Sequence, residues 1–247
     1  MTLQNGATVN DSLTILLVPG LLCDGEIWQH QARELARLAE VRVADLTRQD
    51  NITAMANDCL GAVSGPIALI GHSMGGRVAL EMTRLAPERI RRLGLLDTGY
   101  KPARDSEAGS RGKLVALARD KGMEELARFW LPPMLHPDRR DDRELVDRLT
   151  AMVCRSDPDI FARQQNALLT RPDATPVLQG LRCPTLFACG RQDSWSPLER
   201  HRDMAALVPG SRLSVIEDAG HMIPSERPEA VTDTLRDWLV EAGKEGT

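Results

Sequence analysis

The sequence predicts an α/β fold in which a doubly wound, mostly parallel sheet carries a helical insertion. Strand-like and helix-like segments alternate through the first hundred residues, the pattern is helical from 99 to 181, and the alternation then resumes. Such alternation is typical of parallel strands joined by helical crossovers. We therefore predict a core formed by residues 1–98 and 182–247 and a helical cap formed by residues 99–181.

Four strands and three helices are predicted before the insertion. The strand segments are short and apolar, as in buried strands, and the helical segments repeat apolar residues at helical spacing. The strands are predicted at Thr14–Val18, Val41–Asp45, Ile67–Ile70 and Leu93–Asp97, and the helices at Trp28–Ala39, Ala54–Val63 and Met74–Ala86.

The insertion contains helical patterns without strand patterns. Asp157 followed by Pro158 predicts a helix start, because an acidic cap and a proline in the first turn are both favoured there. The insertion's helical patterns are Leu114–Ala118, Glu124–Trp130, Glu144–Val153 and Ile160–Leu169. Beyond it, strands are predicted at Thr185–Cys189 and Leu213–Ile216, with helices at Leu198–Leu207 and Ala230–Val240.

Composition limits the classes of partner. The chain has 247 residues, 42% of them hydrophobic, which is enough for a large core. Its net charge is −4 with acidic and basic residues interspersed, so we expect no nucleic acid partner. The apolar segment Leu13–Leu22 is too short to span a membrane. We expect a cytoplasmic protein without membrane association that acts on a small molecule.

The cysteines and the motifs predict neither a metal nor a cofactor. Five cysteines stand at spacings that match neither a disulfide framework nor a zinc site, so we expect buried thiols in a reducing compartment. No metal-ligand cluster and no Gly-x-Gly-x-x-Gly opening a helix is present in the sequence. Catalysis is therefore expected to need no cofactor.

The segment Gly71–Gly76, which reads Gly-His-Ser-Met-Gly-Gly, predicts a nucleophile. It lies between a predicted strand and a predicted helix, where Ser73 would stand on a sharp turn that requires small neighbours. The free amide of Met74 at the helix start would point toward the serine and stabilise an oxyanion.

A serine hydroxyl needs a base, and His221 is the best candidate among the five histidines. It follows the last predicted strand in a loop, where catalytic side chains project over strand ends. His30 and His201 fall in helical patterns and are expected at the surface, and His136 lies in the insertion. His72 adjoins the serine, and its side chain is expected to point away from the hydroxyl.

The acid that orients the histidine is expected to be Asp193, with Asp97 as the alternative. Both follow predicted strands, and sites form at the carboxyl ends of parallel strands. A second oxyanion donor is expected after the first strand, where the turn at Pro19-Gly20 would direct the amide of Leu21 at the substrate. Cys23 has no visible feature that would lower the pKa of its thiol, so we do not assign it as a nucleophile.

These segments together resemble the α/β-hydrolase superfamily, in particular a serine-nucleophile, carboxylesterase-like branch with a helical cap. The resemblance covers Thr14 to Val240 and implies that Ser73, Asp193 and His221 form the triad in the order expected for that fold. Relatives usually carry a strand hairpin before the oxyanion glycine, whereas only Met1–Asn10 precede that point here. The resemblance therefore implies a sheet shortened at its N-terminal edge.

The resemblance implies an ester, lactone or thioester hydrolase that forms an acyl-enzyme on Ser73. Two alternatives stay open: a lyase using the same triad, since Met74–Arg77 is similar to the menaquinone-pathway enzyme, and a non-catalytic ligand receptor. Trp130 and Trp195 are the principal candidates for the substrate pocket. The remaining pocket candidates are Phe129, Leu131, Met134, Leu135 and Phe161.

Overall fold

A computed structural model describes residues 13–241 and contains one six-stranded sheet. The strand order is β2-β1-β3-β4-β5-β6, and all five pairings are parallel. The strands are β1 (Thr14–Val18), β2 (Glu40–Val43), β3 (Ile67–His72), β4 (Ile90–Leu96), β5 (Thr185–Gly190) and β6 (Arg212–Ile216). This sheet confirms the predicted fold class.

Burial explains which strands are easiest to recognise in the sequence. Every residue of β1, β3 and β5 is buried, as continuous apolar runs predict. The edge strand β2 is mostly exposed; it begins one residue and ends two residues earlier than predicted, since its Glu40 and Arg42 interrupt the apolar pattern. The shortened edge is predicted from residues 1–10, which lie outside the described residues.

The helices of the core pack on one another in two groups. Helix α2 packs on α3, and α1 packs on α11. The core helices are α1 (Gln29–Leu35), α2 (Ile52–Ala62), α3 (Met74–Leu85), α9 (Leu198–Leu207), α10 (Ile223–Glu226) and α11 (Pro228–Glu241). Helix α1 begins one residue later than predicted, because a 3-10 turn over Gly25–Trp28, capped by Asp24, precedes it, and it ends at Leu35, four residues before the predicted Ala39.

Five helices and no strand lie between β4 and β5. They are α4 (Asp105–Lys121), α5 (Met123–Trp130), α6 (Arg143–Cys154), α7 (Pro158–Leu169) and α8 (Thr175–Gln179). Asp157 caps α7 as expected, with its Oδ1 accepting from the amides of Asp159 and Ile160 at 2.9 and 2.7 Å. Helix α4 is much longer than predicted because its first half is exposed and lacks an apolar stripe. The division at residues 99 and 181 into core and cap stays a prediction.

Two other sequence expectations can be compared with the described residues. No helix within residues 13–241 has the length and apolar character needed to cross a bilayer. The expectation of buried thiols holds for Cys23, Cys59 and Cys189 but is wrong for Cys154, which is exposed, and for Cys183, which is half-buried. Cys154 ends α6 on its solvent side, a position that the apolar pattern of that helix did not reveal.

Candidate active site

Ser73 lies between β3 and α3 with a left-handed backbone conformation. Its φ is 54° and its ψ is −115°, and its amide donates to the Leu96 carbonyl at 2.9 Å. Such a conformation is costly for a residue other than glycine and persists only where the surroundings impose it. Gly71 permits the tight turn, because a Cβ at that position would overlap the carbonyl oxygen of Gly75, and Gly75 lets α3 approach the carbonyl oxygen of Val18 at the end of β1. The turn leaves the Ser73 side chain in the cavity described below.

Ser73, His221 and Asp193 form a continuous chain of hydrogen bonds. His221 Nε2 lies 2.8 Å from Ser73 Oγ, and His221 Nδ1 lies 2.8 Å from Asp193 Oδ2. An ionised carboxylate only accepts hydrogen bonds, so the imidazole proton is assigned to Nδ1. Nε2 is then the acceptor for the serine hydroxyl, which is the geometry of a general base beside a nucleophile.

Asp193 is buried and is nevertheless held in its charged form. Burial alone would raise the pKa of this carboxyl, but His221 and the amides of Ser196 and Trp195 outweigh it and lower the pKa to about 2. The two amides donate to Asp193 Oδ1 at 2.9 and 2.7 Å. The carboxylate is therefore fixed in direction by its own loop.

Asp97, the alternative acid, does not contact the His221 ring through a hydrogen bond. Its Oδ1 accepts from the Gly190 amide at 3.0 Å, and its Oδ2 lies 3.6 Å from His72 Nε2. Burial and the charge of Asp193 raise the pKa of Asp97 well above its usual value. In this structure the histidine is oriented by Asp193.

The loop that carries His221 is held by a buried glutamate that sequence reasoning missed. Glu226, at the end of α10, accepts from the amides of Gly220 and Met222 at 2.9 and 3.1 Å. Its other oxygen accepts from the amide of His136 at 2.7 Å, which ties the loop to the segment after α5. Three amides converging on this side chain offset part of the cost of its burial, which still raises the pKa of Glu226 above its usual value.

The other histidines support the site or stand apart from it. The Nε2 of His72 donates to the His221 carbonyl at 2.8 Å and not to the Ser73 hydroxyl. Burial lowers the pKa of His72, so this ring is neutral. The surface position expected for His201 is wrong: it is fully buried, and its Nε2 accepts from the Thr98 amide at 3.2 Å. An amphipathic helix buries one face, and His201 of α9 lies on that face.

The turn after β1 approaches Ser73 closely. A Cβ at Gly20 would lie 3.2 Å from Ser73 Cβ, so the backbone of this turn borders the nucleophile. Leu21 and Met74, the expected oxyanion donors, both line the cavity beside it. The turn is anchored from α7, where Gln164 Oε1 accepts from the Leu22 amide at 2.9 Å. Gln164 Nε2 donates to the Leu46 carbonyl at 3.0 Å, and the sequence offered no signal for this anchoring role.

A cavity of about 460 Å³ opens above Ser73. Trp130 and Trp195 line it, and their rings meet edge to face at a centroid distance of 6.4 Å. Among the other pocket candidates Met134 also lines the cavity, whereas Phe129 is 66% exposed. Leu131, Leu135 and Phe161 are buried in the core and are not part of the lining.

Cys23 lines the same cavity but is not activated. Burial and the neighbouring Asp24 raise the pKa of its thiol to about 12, so the thiolate is scarce at neutral pH. Its Sγ donates to the Leu21 carbonyl at 3.4 Å. These observations agree with assigning nucleophilic chemistry to Ser73 instead.

Comparison with known proteins places the chain in a family. Residues 15–234 match the model of the alpha/beta hydrolase family. A pimeloyl-acyl-carrier-protein methyl ester esterase of Neisseria meningitidis is 26% identical over 202 residues, which are 79% of this chain and 78% of that protein. The solved structure of a thermophilic esterase from Thermogutta terrifontis, with malate bound, has a TM-score of 0.85 and 31% identity, covering 94% of this chain and 91% of that one.

A further solved structure shares the fold at lower identity. The enol-lactonase of Burkholderia xenovorans superposes with a TM-score of 0.84 at 23% identity, covering 93% of this chain and 92% of that one. The family match spans the sheet and all the residues of the hydrogen-bonded chain at Ser73. This protein belongs to the α/β-hydrolase family.

Proposed function

We propose that this protein is a carboxylic ester hydrolase that cleaves a small or medium ester, lactone or thioester through an acyl-enzyme on Ser73. The observation that carries the proposal is the hydrogen-bonded chain from Asp193 through His221 to Ser73, which ends in a cavity able to hold a small acyl group. Relatives named as esterases, at 26% and 31% identity, support the same reaction class.

In the first half of the reaction, Ser73 Oγ attacks the acyl carbon while His221 Nε2 accepts its proton. The carbonyl electron pair moves onto oxygen, where the amides of Leu21 and Met74 stabilise the negative charge. When this intermediate collapses, the bond to the leaving group breaks and His221 returns its proton to that group. Asp193 stabilises the imidazolium throughout, since its carboxylate is ionised and fixed.

In the second half, a water molecule attacks the acyl-enzyme. His221 now accepts a proton from water, and the same amides stabilise the second oxyanion. Collapse of that intermediate breaks the bond between the acyl carbon and Ser73 Oγ, His221 returns the proton to Ser73 Oγ, and the acid is released. The cycle returns every residue to its starting protonation state.

Covalent labelling with a fluorophosphonate tests the nucleophile directly. We expect one adduct, at Ser73, and we expect Ser73→Ala to lower kcat toward p-nitrophenyl esters by about 10⁶-fold. Ser110→Ala is the matched control, because Ser110 is exposed on α4 and contacts only the Glu107 carbonyl. Labelling of Ser110→Ala but not of Ser73→Ala would support the proposal, whereas an active Ser73→Ala enzyme would refute it.

Product analysis and a cellular assay of Ser73→Ala test the two alternatives, a lyase and a ligand receptor. Release of an unsaturated product without an acyl-enzyme would indicate a lyase instead of a hydrolase. Cellular function retained by Ser73→Ala would indicate a ligand receptor. The complete hydrogen-bonded chain at Ser73 favours catalysis over a receptor, because a receptor has no use for an oriented base.

A further inference from the structure

The cavity above Ser73 carries more positive charge than ester hydrolysis requires. Its lining includes six cationic side chains, namely Arg77, Lys101, Arg104, Arg111, Arg171 and Arg200. The carboxylates of the lining are Asp97, Glu107 and Asp203, of which Asp97 is fully buried beside the catalytic residues. The mechanism proposed above uses none of these cations.

Two of the six cations, Arg111 and Arg171, share the carboxylate of Glu107 in the cavity wall, and its single negative charge offsets one of their two positive charges. Arg171 donates through Nη2 to Glu107 Oε1 at 2.6 Å, and Arg111 donates through Nη2 to Glu107 Oε2 at 2.9 Å. Both oxygens of Glu107 are therefore engaged. Hydrogen bonds with Arg171 are the main reason that the pKa of Glu107 lies below its usual range.

The guanidinium groups of Arg77 and Arg200 approach one another over Gly99. A Cβ at Gly99 would lie 2.9 Å from Arg77 Nη2, 3.0 Å from Arg200 Cδ and 3.5 Å from Arg200 Nη1. The glycine thus leaves open the space that both side chains border. Within residues 13–241, neither guanidinium forms an ion pair with a carboxylate.

Neutral oxygens orient these two arginines without compensating their charge. Arg77 Nη1 donates to the Lys101 carbonyl at 2.8 Å. Arg200 Nη1 donates to the Trp195 carbonyl at 2.8 Å and to Ser196 Oγ at 3.1 Å. Burial is the main cause that lowers the pKa of Arg77 to about 9, and the charges of Arg171 and Arg200 lower it further.

Arg77 and Arg200 line the same cavity as the reacting Ser73. Arg77 follows Ser73 by one turn of α3, and Thr98, the residue before Gly99, donates through Oγ1 to the Ser73 carbonyl at 2.6 Å. Arg200 donates a hydrogen bond to the carbonyl of Trp195, and the Trp195 ring centroid lies 6.2 Å from that of His221. Ser73, Arg77 and Arg200 thus line one cavity, in which a single substrate can contact all three.

We propose that the substrate carries an anionic oxygen group, a carboxylate or a phosphate, that binds between Arg77 and Arg200 while its ester carbonyl lies at Ser73. This inference rests on the proposed function. Two guanidinium groups offer several N–H donors in fixed geometry, which suits either anion. An anion there relieves the repulsion between like charges and orients the acyl carbon before attack.

Matched pairs of substrates test the inference and distinguish the two anions. One arm compares p-nitrophenyl monoesters of dicarboxylic acids, from glutaric to suberic, with neutral esters that carry an isopropyl group in place of the carboxylate. The other arm compares butyrylglycerol phosphate with butyrylglycerol. In at least one arm we expect kcat/KM to favour the anionic member by about tenfold or more, and the preference to decline as salt is added.

Arginine variants show whether the preference depends on this pair. Arg77→Gln and Arg200→Gln are each expected to lower the anionic-to-neutral ratio of kcat/KM by roughly tenfold to a hundredfold, the effect of losing a charge-assisted hydrogen bond. Arg202→Gln is the matched control on α9, because Arg202 is exposed and pairs with Glu199 at 2.8 Å. Thermal melting of each variant verifies that it is folded.

A binding measurement separates failure of this inference from failure of the proposed function. Calorimetry with adipate and with inorganic phosphate is performed on wild type, Ser73→Ala, Arg77→Gln and Arg200→Gln, none of which has to turn over a substrate. Binding of either anion that Arg77→Gln weakens supports the anion site even if no ester is hydrolysed. Equal rates within both substrate pairs, or anion binding that neither arginine variant changes, would overturn the inference.

Discussion

Two buried aspartates follow neighbouring strands, and their surroundings give them opposite properties. Asp97 follows β4 and Asp193 follows β5, and they are 0% and 3% exposed. Asp193 accepts three hydrogen bonds, from the His221 ring and from two amides, and its pKa is lowered to about 2. Asp97 accepts one hydrogen bond, from Gly190, and its pKa is raised.

The comparison teaches that partners, and not burial, decide which carboxylate can serve as the acid of a triad. Burial by itself disfavours the charged form of both side chains and so raises the pKa of each. Only Asp193 has donors that compensate for this cost, and one of them is the imidazole that must be oriented. Asp97 instead accepts a single hydrogen bond, from the amide of Gly190 at the end of β5.

Replacing Asp193 should have the largest effect on this comparison. In Asp193→Asn, the new side-chain amide can turn its NH₂ group toward His221 Nδ1, which favours the tautomer with its proton on Nε2, so His221 could no longer accept the serine proton. We expect kcat to fall by roughly 10⁴-fold, the loss that this tautomer error causes in serine hydrolases. Steady-state kinetics measures it. A nearly active Asp193→Asn that loses its activity when Asp97→Asn is added would mean that Asp97 takes over the role.

Glu226 extends the comparison to a third buried carboxylate. In Glu226→Gln, one amide of the set from His136, Gly220 and Met222 faces an NH₂ group instead of an acceptor. An unsatisfied buried donor costs about 1–3 kcal/mol of stability. The displaced His221 loop is expected to lower kcat by roughly tenfold to a hundredfold. Urea unfolding and kinetics test both effects, with the exposed Glu217→Gln as control. Unchanged stability would contradict the assigned role.

Asp97→Asn should have the smallest effect on activity. It should also abolish the loss of stability that Asp97 causes in the wild type as pH rises. Because the folded-state pKa of Asp97 is raised above the unfolded value of about 3.9, the folded state binds the extra proton between the two values. Wild type therefore loses stability through this group as pH rises across that window, and the variant does not. We expect kcat within about threefold of wild type, since the asparagine side chain retains the acceptor for Gly190.

Thermal melting from pH 4 upward measures the difference between wild type and Asp97→Asn. The gap in stability should widen in favour of the variant as pH rises. A gap that narrows, or a loss of kcat comparable to that of Asp193→Asn, would show that the two aspartates are not distinct in the way described.

Much of the fold was accessible from local patterns, and the errors have physical causes. The buried strands β1, β3 and β5 follow from short apolar runs, and Asp157 with Pro158 marks the start of α7. Helix α4 was underestimated because exposed helices lack an apolar stripe. His201 was misplaced because a helical pattern does not reveal which polar residue shares the buried face.

Local patterns in the sequence predict the parallel α/β architecture, the serine on its strand-to-helix turn and the chain order of the nucleophile, acid and base candidates. These are properties of short segments, where side-chain periodicity and turn chemistry act over a few residues. Long-range contacts in the folded protein distinguish Asp193 from Asp97, bring Gln164 and Glu226 to the site, and place Arg77 and Arg200 around Gly99. Those contacts join residues far apart in the chain, so no local pattern encodes them.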